Sequence, residues 1–244
     1  MTIDWYFVGW AALAVGAASF VQGFSGFGVG IVTVALLSLF GTVLDATTLT
    51  NLCAMVLTCW ILWHLRGHAH WRMVWPLLLG QAAGLPFGVW FLSSADDLLA
   101  RRVMGVLVIA FALWSLLRRK RRLGGRLTPA QAAGVGAASG LMGGAFTMSG
   151  PPLIAYIYSR DMDRDALKAT IQVCFVFTTL LRLVIVASAG HISRCILVTA
   201  VLVLPAILLG GLIGMLLARK VRTEPFRHLV WVLFAALGAL LCIA

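Results

Sequence analysis

Charge is scarce in this sequence. Only 11% of its 244 residues are Asp, Glu, Lys or Arg, and only eight are acidic, where an ordinary soluble domain carries about 25% charged residues. The chain has no CxxC pair. Its five cysteines (Cys53, Cys59, Cys174, Cys195 and Cys242) are scattered, which signals neither a disulfide framework nor a metal site and leaves them as small hydrophobes. The start, Met-Thr-Ile-Asp-Trp, lacks the basic residues of a cleavable signal peptide, so the first apolar run is expected to stay in the mature protein. What fills the chain instead is apolar: 61% of residues are hydrophobic, against about 45–50% in an average domain. No water-soluble globule of this size could hide that much apolar surface. A soluble enzyme, a disordered chain and a secreted disulfide scaffold are excluded, and the main solvent must be lipid.

A membrane span needs about 20 apolar residues. Runs of that reach lie at Ala46–Leu65, Trp71–Leu92, Leu98–Leu117, Asp165–Ala189, Ile192–Ala218 and Pro225–Cys242. Two further stretches are uncharged but interrupted. Residues 5–44 are broken by Gly23, Gly26, Gly28 and Gly30, and residues 127–159 by Gly143, Gly144, Gly150, Pro151 and Pro152. The second stretch is too short for two full spans and a turn. Two short helices meeting at a break inside the membrane, or a re-entrant hairpin, are expected there. Tryptophans such as Trp5, Trp63, Trp71 and Trp90 stand near the proposed ends, where amphipathic rings favour the headgroup level.

The sequence repeats weakly. Gly16-Ala17-Ala18-Ser19 returns as Gly136-Ala137-Ala138-Ser139, and Asp45-Ala46 as Asp165-Ala166, both 120 residues on. Gly84 and Gly88 match Gly210 and Gly214 at an interval of 126. The expected architecture is an all-α integral membrane protein of two inverted repeats of about five segments each, the first two of each repeat short or broken at glycine-rich turns. The repeats would occupy residues 1–117 and 129–244, joined by a basic linker at 118–128. Inversion follows from loop charge. With five segments per half, the connectors 64–72, 118–128, 159–168 and 218–228 share one side and hold fifteen of the nineteen basic residues. The positive-inside rule makes that side cytoplasmic and places the chain in the inner, plasma membrane as a multi-pass protein. The same distribution explains the net charge of +11 without a nucleic-acid partner.

One formal charge, Arg182, lies deep within a predicted span, with no embedded acid to pair with it. A buried cation of this kind costs at least about 2.5–3.5 kcal/mol on insertion scales, so it needs a cavity, partner or ligand. Its fork suits an oxyanion, although it could equally bond carbonyls freed at a helix break. The two breaks add the second ingredient. Gln22, Ser25, Gly26 and Gly28 in the first, and Thr147, Ser149 and Gly150 in the second, would surround helix N-termini whose free N–H groups favour anions. Close helix packing through small residues is the competing explanation of the glycines. Polar residues follow each break: Thr47, Thr48, Thr50 and Asn51, then Thr170 and Gln172. Asn51 and Gln172 are the stronger candidates to line a path, because a buried amide needs several partners. The expected substrate-binding set is therefore Arg182, Gln22, Ser25, Gly26, Gly28, Asn51, Thr147, Ser149, Gly150 and Gln172. Asp45 and Asp165 read as helix N-caps. His64, His68 and His70 read as a solvated turn, and no cofactor or metal is expected.

The order of these pieces resembles the TauE/SafE family of sulfite exporters. The likeness runs through the glycine-rich break after Gly16–Ser19, Asp45–Thr48, His64–Arg72, Gly80–Gly88 and Leu98–Arg102. It continues through Gly143-Gly144, Ser149–Pro152 and Asp165–Thr170 in the second half. The resemblance implies a permease, usually bacterial, that moves sulfite, sulfoacetate, another organosulfonate or thiosulfate. The expected function is thus a secondary transporter acting as an exporter, with the lipid bilayer and a small anion as partners and a homodimer left open. A passive anion channel is the first alternative. An intramembrane serine hydrolase at Gly23-Phe24-Ser25-Gly26 is the second, with His191 as its only outer-side histidine.

Overall fold

The structure is a computed structural model and describes residues 5–117, 128–157, 162–220 and 223–243. Among these residues are eleven helices and no strand. The first half contains α1 (Trp5–Ser25), α2 (Val29–Leu37), α3 (Val43–Leu65), α4 (Trp71–Ser94) and α5 (Asp97–Leu117). The second contains α6 (Pro129–Phe146), α7 (Gly150–Ile157), α8 (Arg164–Ser188), α9 (Arg194–Leu202), α10 (Leu204–Lys220) and α11 (Thr223–Ile243). Most of the basic linker at 118–128, together with Arg160 and Arg222, lies outside the described residues. So do the side chains of Arg164, Arg219, Lys220 and Arg227.

Five helices (α1, α3, α4, α5 and α8) are long and apolar enough to cross a bilayer, and the pair α9–α10 makes a sixth candidate. Their outer faces present Leu79, Phe87, Val106, Leu209 and Ile213, a surface that lipid solvates and water does not. The protein is a multi-pass membrane protein. Around a core of buried side chains such as Phe24, Phe146 and Phe234, two helix pairs are drawn into close backbone contact. A methyl group added at Gly84 or Gly88 on α4 would collide with the carbonyl of Ala137 or Leu141 on α6. One added at Gly210 or Gly214 on α10 would strike that of Gly16 or Phe20 on α1. Small residues let helices approach this closely where no hydrophobic effect drives them together.

These contacts recur at regular intervals along the chain. At the 126-residue interval Gly84 matches Gly210 and Gly88 matches Gly214, and their partners, Ala137 with Gly16 and Leu141 with Phe20, are 121 residues apart. The helix ends agree: α1 stops at Ser25 and α6 at Phe146, α2 starts at Val29 and α7 at Gly150. The interval in space is thus one residue longer than the 120 of the sequence motifs. α3 and α8 pack antiparallel. Along α3 and α8, Thr47 meets Arg182 and Asn51 meets Thr179, so their numbering runs in opposite directions.

The run Ile192–Ala218 bends by 45° at Val203, between α9 and α10. Pro205 is the cause, since it has no N–H to offer the carbonyl of Val201 and its ring crowds that carbonyl. Asp45 and Asp165 are not caps. Thr42 caps α3 by accepting from the Asp45 N–H, and Asp163 caps α8 by accepting from that of Asp165, which leaves both acids inside the first turn, where they favour the positive end of the helix. Finally, only the second arm of each broken pair is short. α1 and α6 have 21 and 18 residues, α2 and α7 only 9 and 8. α2 turns back along α1, as the bond from Trp10 Nε1 to Leu36 O shows at 3.4 Å. The first break is therefore the tip of a helical hairpin.

Candidate functional site

Both breaks come together in one cavity of about 30 Å³. That is room for a water or two, or a small ion. Its walls are the start of α2 (Gly28–Ile31), the end of α6 with the start of α7 (Gly143, Thr147–Pro151), and the middles of α3 and α8. Ala54 is the central residue of α3 and Phe175 is next to the centre of α8, so the cavity lies halfway along both. The walls pair at the 121-residue interval: Gly28 with Ser149, Val29 with Gly150, Ala54 with Phe175, Thr58 with Thr179.

The backbone at each break takes a left-handed turn. Gly26 and Gly28 have φ of 89° and 116°, which glycine adopts without a clash. In the second break the turn falls on Thr147, at φ 57°. Each turn releases a new helix whose N-terminus points into the cavity. The N-cap of α2, Gly28, has no side chain to cap the helix, and α7 opens on Gly150-Pro151-Pro152, whose prolines have no N–H, so what the two starts bring to the cavity is chiefly the positive end of each helix dipole.

Two amides complete the lining, each 1% exposed. Gln22 accepts from the Val29 N–H at 3.2 Å through Oε1, and its Nε2 has no protein partner. Asn51 donates from Nδ2 to the Thr179 carbonyl at 3.0 Å, and its Oδ1 has none. Each orientation is dictated, because an N–H can only donate and a carbonyl can only accept. The residues lining the cavity thus include one buried, unbonded amide donor on α1 and one buried, unbonded amide acceptor on α3.

The expected residues divide. Gln22, Gly28, Asn51, Thr147, Ser149 and Gly150 line the cavity. Gly26, Ser25, Gln172 and Arg182 stand behind it. Gln172 donates to the Gly26 carbonyl at 3.0 Å and holds the first turn. Ser25 lies 2.7 Å from the carbonyls of both Val21 and Phe27. Arg182, 1% exposed, donates through Nε to Gly144 O at 2.9 Å, through Nη1 to Thr47 O at 3.2 Å, and through Nη2 to Thr47 Oγ1 at 2.8 Å. It ties α8 to α3 and to the last turn of α6, where a cation also meets the negative end of the helix dipole.

The sequence reading missed Thr58, Thr178 and Thr179, which line the cavity. A signal was present: Thr58 and Thr179 each follow Asn51 and Gln172 by seven residues, two helical turns on the same face.

Residues 11–241 match the profile of the family described as Sulfite exporter TauE/SafE. The chain belongs to that family. One relative is the probable sulfite/organosulfonate exporter TauE of Cupriavidus necator, 26% identical over 206 residues, covering 82% of this chain and 80% of the relative. Another is the probable inner membrane transporter protein TsaS of Comamonas testosteroni, 29% identical over 172 residues, covering 69% and 70%. No solved structure matches significantly. The family and these relatives are membrane transporters, not enzymes.

Proposed function

We propose that this TauE/SafE protein is a secondary transporter that exports a small sulfur-containing anion, of the sulfite or organosulfonate class, by alternating access around the central cavity. The observation that carries this reading is the meeting of two helix N-termini, one from each half, at a cavity that also receives the free N–H of Gln22. Fixed donors and two positive dipole ends favour an anion and disfavour a cation. The printed names of the two relatives support the class of substrate.

An inverted relation of the two halves, 1–117 and 129–244, is supported by the head-to-tail run of α3 against α8 and by the glycine contacts built twice. Those contacts couple each break to a span of the other half: α1 to α10, and α6 to α4. Rocking of these two close-packed pairs would open the cavity to either side in turn, as in other transporters with interrupted helices. Arg66 and Arg72 lie at the end of α3 and start of α4, whereas Asp45, Asp96 and Asp97 lie at the opposite end of those helices. The basic end would face the cytoplasm of an inner membrane. From there the membrane potential drives an anion outward by about 2.3 kcal/mol per 100 mV.

The test is counterflow of labelled sulfite in proteoliposomes, with the wild-type chain and Gln22→Glu. The substitution keeps the oxygen that Val29 needs and replaces the free N–H with negative charge. Saturable counterflow is expected for the wild type and a loss of about tenfold or more for the variant, the cost of one charge-assisted bond. Undiminished counterflow in Gln22→Glu would remove Gln22 from the site, and ohmic currents would replace the carrier with a channel.

A further inference from the structure

The cavity has two chemically different walls. On one side are the unpartnered Nε2 of Gln22 and the positive starts of α2 and α7, where the Val29 N–H is taken by Gln22 Oε1 and Pro151 and Pro152 carry no N–H. On the other are acceptors. Asn51 turns its only N–H₂ group to Thr179 O and leaves Oδ1 without a partner. The three threonine hydroxyls beside it donate into their own helices: Thr58 to Ala54 O at 2.7 Å, Thr178 to Cys174 O at 2.8 Å and Thr179 to Phe175 O at 2.8 Å. A hydroxyl that has given away its single proton can only accept. The α3–α8 wall therefore offers a ligand only acceptors: the unpaired lone pairs of Asn51 Oδ1, beside threonine hydroxyls whose single proton is already given away.

A fully deprotonated oxyanion would satisfy the donor wall and face those lone pairs with its own. Leaving a buried acceptor unpaired costs as much as a lost hydrogen bond. A bare cation would satisfy the acceptors but would sit against two positive helix ends, and no carboxylate lines the cavity to hold it. One ligand fits both walls at once: an anion that still carries a proton. We infer that the site selects a singly protonated oxyanion, hydrogen sulfite rather than sulfite, with Asn51 Oδ1 accepting the ligand's proton-bearing group and Gln22 with the helix ends holding its other oxygens. Transport would then move one negative charge and one proton per sulfur centre. This rests on the anion-site reading above.

The lining holds no histidine, carboxylate or basic side chain, so the pH dependence belongs to the ligand. The nearby cations are Arg182, turned to Thr47 and Gly144, and Lys168, whose stem packs beside Gly26. The buried thiols of Cys53 and Cys174 lie on α3 and α8 outside the lining.

The experiment is equilibrium binding to the purified full-length chain, comparing sulfite with methanesulfonate across neutral pH. Methanesulfonate carries the same single charge as hydrogen sulfite but no acidic proton. Sulfite affinity is expected to fall by about tenfold per pH unit once hydrogen sulfite ionises. Methanesulfonate should bind independently of pH and about tenfold or more weaker than sulfite at the acid end. Thr58→Val, which removes one acceptor oxygen without disturbing an interhelical bond, should narrow that difference. Equal affinity for the two anions at the acid end, sulfite binding that strengthens with pH, or binding that follows sodium instead of protons would each overturn the inference while leaving the anion site in place. Failure of both anions to bind at any pH would overturn the site itself.

Discussion

Thr147 occupies in the second break the position that Gly26 occupies in the first, 121 residues earlier, and both hold a left-handed backbone, at φ 57° and 89°. A threonine in that conformation carries strain that glycine does not. What it gains is a hydroxyl bond to the Thr47 carbonyl at 3.3 Å, the same carbonyl that accepts from Arg182. The second break is thus braced by side chains where the first relies on glycine.

From this asymmetry, Thr147→Gly is expected to be more stable than Thr147→Ala by about 1 kcal/mol. Both variants lose the hydroxyl, and only glycine sheds the left-handed penalty. Thermal unfolding in detergent measures the difference. Equal midpoints would mean that the turn relaxes when the hydroxyl is gone.

Arg182 braces the cavity from behind, so its removal should affect stability and transport together. Arg182→Gln removes the donor that the buried Gly144 carbonyl and Thr47 Oγ1 receive from the guanidinium, at a cost of about 1–3 kcal/mol, and anion counterflow should be lost. A variant that melts like the wild type yet transports nothing would instead place the guanidinium on the substrate. Undiminished counterflow would remove it from the mechanism.

The two ends of the bundle should label from opposite sides. In a cysteine-free background, His68→Cys in the turn between α3 and α4 is expected to react with an impermeant maleimide only from the cytoplasm. Asp96→Cys, between α4 and α5, should react only from outside. Both side chains are exposed, so the readout is accessibility rather than folding. Labelling of both from one face would defeat the proposed orientation.

Some of the site was legible before any coordinates and some was not, and the division follows the kind of bond involved. Gln22 and Ser25 stand three residues apart in one glycine-rich segment and look equally suited to a ligand. Ser25 is consumed by carbonyls of its own turn, the common fate of a helical serine, while Gln22 is long enough to reach past the break to Val29. Arg182 announced itself as a buried cation, but its partners are two main-chain carbonyls and a threonine hydroxyl. Carbonyls belong to every residue and leave no mark in a sequence.

By itself the sequence determined that lipid is the solvent, where most helices begin and end, and that two of its apolar stretches are interrupted. Those properties depend on transfer free energy and on the backbone limits of glycine and proline, which are local. Only the tertiary structure decided that the two breaks meet, that the cavity's walls pair at an interval of 121 residues, and which amide atoms are left without a partner. Each of these depends on contacts between residues more than a hundred positions apart, such as Asn51 with Thr179. Pairing at that distance is selected by the whole bundle and not by any segment of it.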